Sequence, residues 1–283
     1  MKAFKLIFSG GGTGGHIYPA LAIAKGIKNI KPDTNILFVG AIDKMEMKLV
    51  PKADFKIKGL WISGFQRSLS LQNLLFPFKV FISLLQSLFI LLRFNPDAVI
   101  GTGGFASWPL LQVAQWLDYP TLIQEQNSFP GIANRILGKK ANRVCVAYEK
   151  MEHYFPLYKL RLTGNPIRFN MLSSAITASA AKSFFGLDPQ KPTLVVIGGS
   201  LGAKRINELV AKELFFFKTH DFQILWQCGE LYFNKYKTLS CPEVVIKSFV
   251  YEMEKLYAAA DIIISRAGAG SLSELSCVGK PLI

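Results

Sequence analysis

The chain has 283 residues, half of them hydrophobic and 18% charged, with a formal net charge of +14. That length suits two domains that each bury a core, and that composition excludes long disorder. The basic surplus attracts polyanions, whether nucleic acid, anionic lipid headgroups or phosphorylated substrates, without choosing among them. Cys145, Cys228, Cys241 and Cys277 are scattered, with no C-x-x-C pair and no histidine at metal-ligand spacing. A reduced, cytosolic compartment and no bound metal are therefore expected. The apolar stretch ahead of Gly10 is too brief for a signal-peptide core, so no export is expected.

Lys5-Leu-Ile-Phe8 reads as a buried parallel strand, the glycines 10–15 follow at once, and Ile17, Leu21, Ala24 and Ile27 then recur at helical spacing. Ile36–Val39, Ala98–Ile100, Thr121–Ile123 and Val144–Val146 continue as strands. Strands alternating with helices imply α/β architecture with parallel sheets covered on both faces. After Gly164-Asn-Pro-Ile-Arg168 the pattern restarts with strands Thr193–Ile197, Ile224–Trp226, Val244–Ile246 and Asp261–Ile264. The linker is expected near residues 164–180, with domains over 1–165 and 166–283.

The apolar stretch Leu74–Leu92 has Lys79 inside it and Arg93 after it, leaving too short an uncharged run for a membrane span. Lys79, Ser83, Gln86 and Ser87 fall on one helical stripe while Phe76, Phe81, Leu84, Leu85, Leu88 and Leu91 cover much of the rest, which reads as a helix packed on the sheet. The alternative is that part of this face, or the approach from Trp61 to Leu75, lies on an anionic membrane surface.

Four glycine-rich turns, at residues 10–15, 101–104, 198–202 and 268–270, all follow strands and so lie at the carboxyl edge where open α/β sheets bind ligands. The first is not a Walker loop, since no Gly-Lys-Ser/Thr follows, and it departs from the dinucleotide G-x-G-x-x-G spacing. Each turn can bring backbone N–H groups to an anion, or serve only the close packing of strand on helix. Ser200, Ser271 and Ser273 add hydroxyl donors at helix starts, and Glu274 is placed either to accept from a ribose diol or simply to complement the helix dipole. His16 ends the first turn and can accept a proton near neutral pH, or only cap backbone. Glu125 is a base or an orienter, Asn127 a donor to substrate, and Arg168 a partner for a diphosphate or a plain surface residue.

The segments Gly11–His16, Gly103–Ser107, Glu125–Asn127, Gly164–Arg168, Gly198–Ala203 and Ser265–Glu274 stand in the order and context of the MurG family, which the chain resembles from residue 3 to residue 283. The resemblance implies a GT-B fold, with two Rossmann-like domains whose parallel sheets face a cleft. It implies inverting transfer of N-acetylglucosamine (GlcNAc) from UDP-GlcNAc to the 4-hydroxyl of undecaprenyl-diphospho-N-acetylmuramyl-pentapeptide, converting lipid I to lipid II in peptidoglycan synthesis. No cofactor or catalytic metal is implied, and the enzyme would sit peripherally on the cytoplasmic side of the inner membrane. The N-terminal domain would take acceptor and membrane, the C-terminal domain UDP-GlcNAc. Carried over position by position, Thr13, Gly14 and Gly15 resemble the glycine loop that contacts donor or acceptor phosphates, and Asn127 a donor-sugar contact. Arg168 and Ser200 resemble diphosphate contacts and Val250 the uracil-pocket backbone position. Ala269, Gly270, Ser271, Leu272, Ser273 and Glu274 resemble the uridine and ribose clamp, and His16 and Glu125 the candidate bases.

Two departures stand out. Position 124 is Gln where many relatives have His, a change expected to be tolerated, and the chain ends at Pro281-Leu-Ile283 where the family continues. The second domain is therefore expected to be incomplete and the chain alone to have little transferase activity. Two other readings are a different GT-B transferase with a lipid acceptor, and a non-catalytic scaffold that binds nucleotide sugar at a membrane. Nucleic-acid binding, open on charge alone, lacks any recognised module.

Overall fold

The computed structural model describes residues 3–64, 75–167, 176–199 and 201–283. The chain divides into two compact units, Met1–Ile167 and Arg168–Ile283; the sequence placed the boundary after residue 165.

Unit 1 carries strands β1 (Lys5–Gly10), β2 (Asn35–Ala41), β3 (Lys56–Leu60), β4 (Ala98–Gly103), β5 (Thr121–Glu125), β6 (Arg143–Val146) and β7 (Leu160–Leu162). They form one parallel sheet in the order β3-β2-β1-β4-β5-β6-β7. Its helices are α1 (Gly14–Ile30), α2 (Glu46–Lys52), α3 (Phe76–Phe94), α4 (Ser107–Trp116) and α5 (Ile132–Gly138). Because successive strand residues face opposite sides, Ile7, Leu37, Val39 and Val99 enter one core layer with Leu110 and Leu91, while Phe8, Ile36, Phe38 and Ile100 enter the other with Ile17 and Leu21. Strand order reverses between β1 and β4, which pair directly, Gly10 opposite Gly103. That switch point is where a doubly wound sheet leaves a crevice at its carboxyl edge.

Helix α3 turns part of its polar stripe inward. Ser83 and Ser87 are fully buried beside Ile90 and Leu91, whereas Phe78, Phe81, Leu85, Phe89 and Leu92 are exposed. The buried hydroxyls cost little because each bonds within its own helix, Ser83 Oγ to Val80 O at 2.7 Å and Ser87 Oγ to Ser83 O at 2.6 Å. The small serines sit where α3 packs on its neighbours, leaving the bulky aromatics outward. By length and composition this 19-residue helix is also apolar enough to cross a membrane, yet Ile90 and Leu91 belong to the unit 1 core.

Unit 2 carries β8 (Thr193–Ile197), β9 (Gln223–Gln227), β10 (Val244–Lys247) and β11 (Ile262–Ser265), parallel in the order β10-β9-β8-β11. Around them lie α6 (Ala178–Phe184), α7 (Lys204–Lys212), α8 (Leu214–Thr219), α9 (Glu230–Tyr236), α10 (Met253–Ala259) and α11 (Ala269–Val278). Leu282 makes a parallel bridge to Ile263 of β11. Trp226 is fully buried, and its indole N–H donates to Asn207 Oδ1 at 2.9 Å.

One ion pair fastens α6 to this sheet. Lys182, almost wholly buried, donates from Nζ to Lys191 O and to Asp261 Oδ2, both at 2.8 Å, and the same carboxylate oxygen accepts Thr193 N–H at 2.8 Å. Partial desolvation would raise the Asp261 carboxyl, but the bonds from Lys182 and Thr193 and the lysine charge outweigh it, so the group sits below its ordinary value. A carboxyl lowered on folding stabilises the folded state at pH values above 3.8 and loses that contribution as pH falls through its folded value. Lys182→Met is expected to destabilise unit 2 by about 1–3 kcal/mol, the lower end reflecting the solvent exposure of Asp261. Urea unfolding followed by amide exchange in β8 and β11 measures the loss, which should shrink as the pH falls below 3.8 and the carboxylate is protonated.

Candidate active site

The carboxyl edge of unit 1 is built on absent side chains. After β1 the backbone passes through Gly11, whose N–H donates to Gly103 O at 3.3 Å, and Gly12, whose φ of +84° places it over the Phe105 ring where a Cβ would collide. Helix α1 then starts from Thr13, extended at φ −147°, with no side-chain cap and no acidic residue in its first turn. Thr13 and Gly15 are exposed. The positive end of a 17-residue helix thus faces outward beside glycine backbone, an arrangement suited to phosphate.

A carboxylate that the sequence did not flag holds the turn from below. Glu46, buried at the start of α2, accepts Gly12 N–H on Oε2 at 3.1 Å and Ala41 N–H on Oε1 at 3.0 Å. A side chain at Gly11 would occupy the place of its carboxyl group, and one at Gly40 that of its Cγ. Nothing in the local sequence pairs Glu46 with a turn lying before β2; only the topology does.

His16 lies in the first turn of α1, half-buried. Its Nδ1 is 3.0 Å from Thr102 O and 3.1 Å from Gln126 Oε1. A carbonyl only accepts, so Nδ1 carries the hydrogen and, in the neutral ring, Nε2 carries the lone pair. Thr102 also donates from Oγ1 to His16 O at 2.7 Å, so strand β4 grips the residue at both backbone and ring.

Glu125 is not presented as a base. It is buried, and its oxygens are committed to four N–H donors: Oε1 to Asn127 N and Nδ2, both at 3.0 Å, and Oε2 to Gly131 N at 3.2 Å and Asn134 Nδ2 at 2.8 Å. Of the two roles left open by sequence, the geometry offers the orienter, shaping the loop from β5 to α5. Asn127 is exposed on that loop with one amide hydrogen held by Glu125, leaving the second N–H and the amide oxygen outside that bond. Gln124 accepts from Gln126 Nε2 on its side-chain oxygen, while its own Nε2 is buried with no partner among the described residues.

The edge of unit 2 repeats the design. Helix α7 begins after the Gly198–Gly202 turn with no side-chain cap at Ala203, and α11 begins after Gly268, also without one. Buried Gln227, at the end of β9, ties two of these loops together by donating to Gly199 O at 3.2 Å and accepting Val250 N–H at 2.9 Å. Val250 therefore has its N–H engaged within the protein, which narrows its expected backbone role to the carbonyl. Ser273 Oγ donates to Ala269 O at 3.0 Å, turning its proton back along the helix and not outward as expected. Glu274 Oε2 accepts from Tyr257 OH at 3.3 Å, which joins α11 to α10. Gly270, Ser271 and Leu272 are half-buried in the first turn of α11. Arg168 and Ser200 lie outside the described residues.

Residues 6–146 match the glycosyltransferase family 28 N-terminal domain and residues 193–283 the family 28 C-terminal domain. The chain is 56% identical over 284 residues to the UDP-N-acetylglucosamine–N-acetylmuramyl-(pentapeptide) pyrophosphoryl-undecaprenol N-acetylglucosamine transferase of Flavobacterium psychrophilum, covering 100% of this chain and 77% of that one. The chain belongs to the MurG family of glycosyltransferases. The MurG-family transferase of Cytophaga hutchinsonii, which carries the same name, is 52% identical over 282 residues, covering 100% of this chain and 76% of its own. Among solved structures, Acinetobacter baumannii MurG aligns with a TM-score of 0.66 and 27% identity over 98% of this chain and 77% of that one. A UDP-GlcNAc 2-epimerase from Neisseria meningitidis shares the fold, with a TM-score of 0.67 and 16% identity over 99% of this chain and 81% of that one. The two parallel-sheet α/β units are those of a GT-B glycosyltransferase.

Removing the strut should cost the turn its shape. Glu46→Ala leaves the buried Ala41 N–H and the half-buried Gly12 N–H without their acceptor and a cavity beneath Gly11, for an expected loss of about 2–3 kcal/mol by urea denaturation. Glu46→Gln, which keeps one acceptor oxygen, should lose less.

Proposed function

We propose that this chain transfers GlcNAc from UDP-GlcNAc to the 4-hydroxyl of undecaprenyl-diphospho-N-acetylmuramyl-pentapeptide. The observation that carries the proposal is 56% identity across the whole chain to a transferase of that name. The site chemistry supports it. His16 Nε2 takes the proton of the acceptor hydroxyl as its oxygen attacks the anomeric carbon, the bond from that carbon to the diphosphate breaks, and UDP leaves from the opposite face with inversion. Charge developing on the diphosphate meets backbone N–H groups at the starts of α7 and α11, with Ser200 and Arg168 as its side-chain partners. Thr13, Gly14 and Gly15 bind acceptor phosphate, and Asn127 contacts sugar. The Val250 carbonyl faces uracil, and residues Ala269 to Glu274 hold the nucleoside. Glu125 shapes the Asn127 loop and moves no proton.

We further infer peripheral attachment to the cytoplasmic face of the inner membrane through α3. Its outward residues recur at helical spacing, Phe81 57% and Phe89 62% exposed, alongside exposed Trp61 and Trp116. The net charge of +14 adds attraction to anionic headgroups.

Transfer of labelled GlcNAc to a lipid I analogue tests the reaction, in this chain and in a chimaera bearing the C-terminal remainder of the Flavobacterium psychrophilum relative. The chimaera should turn over, His16→Ala should lower kcat roughly 100- to 10,000-fold, and Glu125→Gln should leave the acid limb of the pH profile in place. No transfer by the chimaera, or full activity in His16→Ala, contradicts the proposal. For the membrane, the double variant Phe81→Asp, Phe89→Asp should lose most of its co-sedimentation with vesicles containing phosphatidylglycerol; unchanged binding overturns that reading.

A further inference from the structure

We infer that Gln126 is a positioning residue for the transfer: its side-chain amide holds His16 in the Nδ1–H form, so that the Nε2 lone pair is the proton acceptor. The inference rests on the reading of His16 as the base.

The orientation of the Gln126 amide is decided by what surrounds it. Its Nε2 lies 2.9 Å from Thr102 O, 3.1 Å from Gln124 O, and against Gln124 Oε1. All three neighbours are acceptors, so turning the amide over would set oxygen against three oxygens in a buried place. Only Oε1 is left to face the imidazole, and an oxygen at 3.1 Å from Nδ1 accepts the ring hydrogen. Thr102 O receives that same hydrogen at 3.0 Å and is itself held by Gln126 Nε2. The three groups form a closed set in which each fixes the next. Gln124 is its far end and supplies acceptors to the Gln126 amide.

The alternative tautomer would leave Nδ1 as a lone pair facing two oxygens, a buried repulsion with no donor to relieve it. An acceptor on Nδ1–H also favours the imidazolium formed when Nε2 takes the proton. The charged groups on the elements packed around this ring are few. Strand β4 and helix α4 contribute none; α2 contributes Glu46, bonded to Gly12 and Ala41, and the exposed Lys48 and Lys52; β5 contributes Glu125, bonded to four N–H groups; α5 contributes Arg135, exposed beside the Phe129 and Tyr154 rings. In the described contacts of Nδ1, therefore, two neutral oxygens set the tautomer, with no carboxylate among them.

The test uses Gln126→Met, which keeps the volume and removes both ends of the amide, and Gln126→Asn, which keeps an amide but withdraws it by one carbon. Both are measured in the chimaera with UDP-GlcNAc and a lipid I analogue. Each should lower kcat roughly tenfold to a hundredfold while changing either KM less than about twofold. Each should also move the acid limb of the kcat/KM profile to lower pH by roughly half a unit or more, because an acceptor favouring the imidazolium has gone. A merely structural role moves neither the limb nor kcat selectively. A limb that stays in place in both variants, or a loss confined to KM, overturns the inference. His16→Gln separates the two levels: if the acid limb persists without the imidazole, the reading of His16 as base fails and takes this inference with it. If the limb vanishes with His16 but ignores Gln126, the base stands and only the positioning role is lost.

Discussion

The grip of Thr102 on His16 is the constraint from which the rest of the unit 1 edge follows. Its hydroxyl donates to the His16 carbonyl and its own carbonyl accepts from the His16 ring, so the end of β4 and the first turn of α1 are joined by two bonds through a single pair of residues. Such closeness needs bare backbone on both strands. A Cβ on Gly10 would fall on Thr102 Oγ1, and one on Gly103, at φ +100°, would press on the His16 ring and the Asn134 amide. The glycines are thus required by side chains that must pass through the space they leave.

Buried amides and carboxylates then do for the loops what capping residues do for ordinary helix starts. Glu46 takes a turn N–H that would otherwise need solvent, Glu125 closes the loop from Asn127 to Gly131, and Gln227 joins the Gly199 and Val250 loops of unit 2. Because an unpaired polar group inside a protein is costly, each of these bonds fixes geometry more firmly than its net energy suggests. The helix starts at Thr13, Ala203 and Gly268 are left without side-chain caps among the described residues, the arrangement that suits a substrate rich in phosphate.

What the sequence made legible and what it hid divide along physical lines. Long apolar runs such as Leu-Phe-Val in β2 and Leu-Val-Val-Ile in β8 are buried on both faces of a parallel sheet, so they announce themselves. The edge strands β3 and β7 do not: Lys-Ile-Lys-Gly-Leu puts lysines outward at the sheet margin, and Leu-Arg-Leu is only 3 residues long. Which face of α3 packs inward was not legible, because hydropathy cannot register a serine whose hydroxyl is satisfied by its own helix. The glycine turns and His16 were visible as a motif, and Glu125 as a carboxylate of two possible roles. Glu46, Thr102, Gln126 and Gln227 were not, since each acts through a hydrogen bond to backbone or a side-chain amide brought near only by the crossing of strands.

The central claim is that this architecture delivers a histidine with its hydrogen on Nδ1 and its lone pair on Nε2. Nitrogen-15 correlation spectra of the imidazole rings at neutral to mildly basic pH test it most directly, with the His16 signal assigned by its loss in His16→Gln. The account predicts a protonated Nδ1 and a bare Nε2 in the neutral ring. A His16 ring found mainly with its hydrogen on Nε2 would contradict it.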